Sequence, residues 1–147
     1  MPASRLQEPR ETQIGVPSMP NTLLFVNGTL MQGLELHTNL EDAPFLGVAD
    51  TATCYRLHSI NDRHPGMYRI DHGGVAVRGE LYLLPEAVLA RVLASEPRGL
   101  YLGPVELADG RTVSGILYPR ELAAGHPDIS VFGDWRAYRG RSDPSRR

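Results

Sequence analysis

Leu23-Leu24-Phe25-Val26-Asn27-Gly28-Thr29-Leu30-Met31 decides the fold. Thr22 and the four apolar residues after it form a short run, too brief for a helix, that Asn27-Gly28 ends. This pattern is a buried strand running into a turn. Glycine at the turn lets backbone or ligand approach closely, so the end of this strand is the first place to look for a site. On the far side, Leu34, His37 and Leu40 recur at helical spacing, predicting one or two helical turns.

Further along, Ala49–Ser59 and Gly66–Ile70 read as strands separated by a loop over Asn61-Asp62-Arg63-His64-Pro65. Gly73-Gly74 turns the chain into Val75–Leu83. There Val75, Val77, Leu81 and Leu83 alternate with Arg78, Glu80 and Tyr82, as in a strand buried on one face. Pro85 suits a first helical turn and opens the best helix, Glu86–Ser95, with Leu84, Val88, Leu89, Val92 and Leu93 as its apolar stripe. Pro97 biases Glu96 away from helical geometry and ends it. Gly103–Leu107 and Arg111–Leu117 flank Ala108-Asp109-Gly110, a hairpin signal. Mostly strands with one good helix predict an α+β fold: a small curled mixed sheet or barrel with few helices.

At 147 residues the chain is the size of one domain. Residues 1–20 carry Pro2, Pro9, Pro17 and Pro20 among polar residues and read as a disordered arm. Residues 21–139 form the domain, and 140–147 read as a flexible tail. The net charge of −2 gives no pull toward nucleic acid or an anionic membrane. No apolar run is long enough to span a bilayer, and residues 1–20 lack the apolar centre of a secretory signal. Cys54 is the single cysteine, which excludes an intrachain disulfide or a cysteine-cluster metal site. The expectation is a cytoplasmic protein with no cofactor and no metal. All 15 basic residues are arginine, so Schiff-base, Walker-type and Ser-Lys chemistry are excluded.

Residues 23–31 resemble the opening strand and glycine turn of the gamma-glutamylcyclotransferase-like superfamily: Gly28, Thr29 and Leu30 match, while Asn27 stands where that family has tyrosine. His64-Pro65-Gly66-Met67-Tyr68 resembles the family's second substrate loop, and Val77–Tyr82 the strand before its catalytic helix. Leu93–Tyr101 resembles the segment that ends that helix on an acidic residue, and Glu96 falls on the catalytic glutamate. Closer still, GLELHTNL, TATCYRLHSI, HPGMYRI, GPVELADGRTVSGILY and DISVFGDWRAY are similar to the C-terminal domain of allophanate hydrolase. That domain, as aligned, lacks a glutamate at this position. It assists decarboxylation of a carboxylated product made by an amidase domain.

What the resemblance implies about the site is specific. Cyclotransfer needs an amine to lose a proton and a leaving amine to gain one. A single carboxylate with a raised pKa can do both, and Glu96 at a helix C-terminus is placed for it. The implied substrate-binding set is Asn27, Gly28, Thr29, Leu30, Pro65, Gly66, Met67, Tyr101 and His37, with backbone N–H groups of the Gly28 turn facing a carboxylate or a forming oxyanion. Bland readings stand beside these. Glu96 reads equally as an exposed helix-end residue, Tyr101 and His37 as packing, and Cys54 as a buried strand residue. His64, His72 and His126 read as solvated loop residues without metal spacing, and Glu80 as a surface partner of Arg78. Trp135 and Tyr138 read as a clamp for the C-terminal segment. Arg98, Arg120 and Arg136 are unranked carboxylate binders.

Three functions remain open. The first is a gamma-glutamylcyclotransferase-like enzyme acting on a small amide- or amine-linked metabolite. The second is an accessory to decarboxylation or urea and carbamate nitrogen metabolism. The third is a non-catalytic binder of a small carboxylated metabolite. The expected partner is a small-molecule substrate, with a second copy of the chain and an amidase as candidate protein partners, and neither nucleic acid nor membrane.

Overall fold

The computed structural model describes residues 21–140; the arm read over 1–20 and the tail at 141–147 lie outside the described residues. The apolar run of the opening strand becomes β1 (Asn21–Val26), whose Leu24, Phe25 and Val26 are almost wholly buried. The reason is its place in the sheet. In the order β2-β5-β1-β7-β6, β1 is the middle strand, antiparallel to β5 (Arg78–Pro85) and parallel to β7 (Thr112–Leu117). A strand with neighbours on both sides and packing on both faces needs a continuous apolar run rather than alternation.

Two edges remain, β2 (Phe45–Asp50) and β6 (Tyr101–Glu106). The sheet curls without closing into a barrel. Its edges touch at one end only, where Thr51 bridges Leu107 just beyond the two strands. Backbone bonds from Ala52 to Glu106 O and from Ala108 to Asp50 O reinforce that contact. The predicted hairpin at Asp109-Gly110 joins β6 to β7, with Gly110 at a positive φ of 95°. A helix, α1, runs from Glu86 to Ser95 as predicted and buries Val88 and Val92. The turns near residue 37 form a short 3₁₀ helix, His37–Leu40.

Several expectations are corrected here. Ala49–Ser59 is not one strand. Thr51 leaves β2 to exchange bonds with Val77 through its N–H and Oγ1, and the chain then starts β3 (Tyr55–Ile60). Cys54 accordingly lies between strands, half-buried. His64 and Pro65 are not loop residues. The turn is tight, Asn61 and Asp62 both take positive φ, and β4 (His64–Arg69) pairs with β3 from its first residue. Asn and Asp are the non-glycine residues that tolerate that conformation best. Likewise β5 starts at Arg78 rather than Val75 and is buried from Gly79 to Tyr82, because Gln32, His37 and Arg136 cover the face that carries Glu80 and Tyr82.

Glu80 is therefore no surface partner of Arg78, which pairs with Asp50 instead. At 4% exposure its carboxylate accepts from Gln32 N–H at 2.9 Å, Tyr82 O–H at 2.8 Å and Arg136 at 3.3 Å. A buried carboxylate is tolerable only with such a full set of donors. Arg136 sits in α3 (Trp135–Arg139), which the buried rings of Trp135 and Tyr138 fasten to the sheet. Another short helix, α2 (Arg120–Ala123), packs beside β4. No helix among the described residues is long and apolar enough to cross a membrane.

Candidate active site

Beyond β1 the chain turns at Asn27–Leu30, and all four residues are buried. The turn's carbonyls are each tied back. Gly28 O accepts from Met31 N–H, Thr29 O from Leu36 N–H, and Leu30 O from His37 Nδ1 at 2.9 Å. A carbonyl can only accept, so Nδ1 of His37 carries the proton in that bond. The backbone N–H groups of Gly28, Thr29 and Leu30, by contrast, donate to no carbonyl among the described residues. Buried backbone donors are rarely left unpaired, so a run of three is a place for an acceptor brought from outside.

Glycine at position 28 is required by its neighbour. A Cβ there would lie 2.7 Å from Cδ of Pro65. Pro65 thus seats on the turn, and the two build one wall of a cleft. Val26, Asn27, Gly28, Thr29, Leu30, His64, Pro65, Glu96, Leu100 and Ile116 line it, around about 270 Å³ of empty space including its mouth. Its walls are largely apolar and its polar groups few, as ligand sites tend to be.

Glu96 enters from the end of α1. Helical geometry stops at this residue (φ −72°, ψ 149°), which turns the chain out of the helix ahead of Pro97. Its Oε2 is buried without a hydrogen-bond partner among the described residues, the single such side-chain atom there. Burial alone pushes its carboxyl up to about 7 from an ordinary 4.5, because an unpaired charge is costly where water is excluded. A carboxyl of this kind holds or releases a proton readily at neutral pH.

Asn27, Gly28, Thr29, Leu30, Pro65 and Glu96 are thus brought together from three separate segments. The other predicted residues fall outside the cleft lining. Gly66 packs under Tyr118, where a Cβ would lie 2.8 Å from the ring. Met67 is buried, with its sulfur accepting from Asn27 Nδ2 at 3.4 Å. His37 stands behind the turn and braces Leu30. Tyr101 projects from edge strand β6 and is 47% exposed. None of the three arginines lines the cleft: Arg136 is engaged with Glu80, Arg120 stacks over Tyr68, and Arg98 is exposed. The residue missed is His64, read as solvated yet 7% exposed and part of the lining. Its place immediately before Pro65 was the available signal. No cluster of metal-ligating side chains occurs among the described residues.

A family model described as the allophanate hydrolase C-terminal domain matches residues 22–140. The chain belongs to this family. It lies within the gamma-glutamylcyclotransferase-like superfamily, and the relatives reflect both names. A solved structure described as c4763, a uropathogenic E. coli-specific protein, is 48% identical at a TM-score of 0.80, over 85% of this chain and all of that one. Allophanate hydrolase of Kluyveromyces lactis is 28% identical at a TM-score of 0.74, over 85% of this chain and 22% of that enzyme. A Vibrio cholerae protein named "putative gamma-glutamylcyclotransferase" is 37% identical over 70 residues, 48% of this chain. The match spans 57% of that curated relative, a little over half its length.

Proposed function

We propose that the domain is a gamma-glutamylcyclotransferase-like enzyme that cleaves a small amide- or amine-linked metabolite, with Glu96 moving the proton. The observation that carries this reading is the buried, unpartnered Glu96 carboxyl in the same cleft as three unpaired backbone N–H groups. In such a reaction the substrate's α-amine attacks its own γ-carbonyl carbon. Glu96 takes the amine's proton and hands it to the leaving nitrogen as the old C–N bond breaks. The products are a five-membered lactam and a free amine, and no water is consumed. The turn's N–H groups are suited to the oxyanion formed in between. A carboxyl near 7 supplies both the base and the acid form at neutral pH.

A second reading is favoured by the cleft's size. The cleft encloses about 10 Å³, room for about one water, against the roughly 300–1,000 Å³ of typical ligand sites. An N-carboxylated amine is smaller than a γ-glutamyl amine. There the N–CO₂ bond would break and protonated Glu96 would supply the proton that nitrogen gains. The test is to incubate the protein with a panel of γ-glutamyl amines and of N-carboxylated amines. Release of 5-oxoproline supports the first reading and accelerated release of CO₂ the second. If neither product forms above the uncatalysed rate, both enzymatic readings fail.

A further inference from the structure

His64 begins β4 and is more than nine-tenths buried in the cleft lining. Its Nδ1 lies 3.0 Å from Pro65 O. Pro65 O can only accept, so Nδ1 carries the proton and Nε2 keeps its lone pair. No hydrogen bond to Nε2 forms among the described residues, and the ring is held edge-on to Tyr118 at 5.8 Å. Desolvation lowers the imidazole's pKa, which keeps the ring neutral near pH 7. The cleft therefore contains a fixed, neutral acceptor besides the donors of the Gly28 turn.

Building on the reading of this cleft as a ligand site, we propose that His64 is the specificity-determining residue that accepts an N–H from the ligand through Nε2. The cleft then selects small molecules with an oxygen acceptor for the turn and an amide or amine N–H for His64. A ligand that covers Nε2 without donating to it leaves that acceptor unpaired in the complex, so an isostere lacking the donor is rejected. Esters of the same shape should therefore bind poorly. The preference belongs to binding and does not depend on Glu96 exchanging a proton.

The probes are N-methylglutaramic acid and its isostere monomethyl glutarate, which share a carboxylate and differ only in N–H against O. Binding is followed by calorimetry, and the His64 ring nitrogens by ¹⁵N NMR on the whole chain. The amide should bind roughly tenfold tighter than the ester, and saturation with the amide alone should move the Nε2 resonance. In His64→Phe, which keeps a planar ring, affinity for the amide should fall to that for the ester, which stays within about twofold of wild type. Should that variant fail to fold, the ¹⁵N measurement on the wild type decides. The proposal is overturned if Nε2 carries the proton in the free protein, if its resonance ignores bound amide, if His64→Phe keeps the preference, or if neither probe binds. The same titration of Glu96→Gln separates the two claims. An intact amide preference there, whatever its turnover, leaves the His64 assignment standing on its own.

Discussion

Replacing Glu96 with glutamine tests its burial before any substrate is known. In the folded chain the carboxyl titrates at about 7 against an ordinary 4.5, so between those values the native state holds a proton that the unfolded chain has released. Stability must then fall as pH rises through that window. At about 1.36 kcal/mol per pH unit, the gap is worth about 3 kcal/mol, a ceiling because the residue is half-buried rather than sealed. Glutamine keeps the shape and cannot ionise, while every other titrating group is common to both proteins. Urea unfolding of wild type and Glu96→Gln at steps from pH 4.5 to 8 isolates this carboxyl. The stability difference should swing toward the glutamine variant by up to about 3 kcal/mol across the series, with half of the swing complete near the middle of the window, at about pH 5.8. A difference constant within about 0.5 kcal/mol would refute the reasoning, since it would mean that Glu96 ionises in the fold as it does in water.

Two further outcomes follow from contacts described above. Arg136→Met removes one of three donors to the buried Glu80 carboxylate and should cost about 1–3 kcal/mol in urea unfolding, less than losing the whole set because Gln32 and Tyr82 still donate. Gly28→Ala places a methyl 2.7 Å from Pro65 Cδ and should destabilise by about 1–3 kcal/mol while closing the cleft, read as lower stability together with loss of binding of N-methylglutaramic acid.

Much of the fold was legible because local signals agreed with it. The run at Leu23–Val26, the Pro85 helix start, the Glu96-Pro97 stop and the Asp109-Gly110 turn each follow from residue chemistry that tertiary packing did not override. The errors came where a strand's surroundings decide its burial. Alternation in Val75–Leu83 suggests a solvent face, but Gln32 and His37 from the segment after β1 and Arg136 from α3 cover that face, and Glu80 and Tyr82 find partners inside. Alternation cannot reveal that Glu80 has Arg136 waiting from a helix 56 residues away. His64 was misplaced for a related reason. Asn61-Asp62 adopt positive φ, so the turn is shorter than its polar composition suggests, and the histidine falls inside the hairpin. Within the site, the Gly28 turn and Glu96 were visible through family resemblance, whereas the tying back of the turn's carbonyls is a property of three dimensions only.

The account rests on Glu96 exchanging a proton with a ligand held at the Gly28 turn, and the turnover of Glu96→Gln tests it most directly. With whichever substrate the panel yields, kcat should fall roughly 10²-fold or more while KM changes little, because proton transfer stabilises the transition state rather than the bound substrate. Turnover by the folded variant within a few-fold of wild type would contradict it.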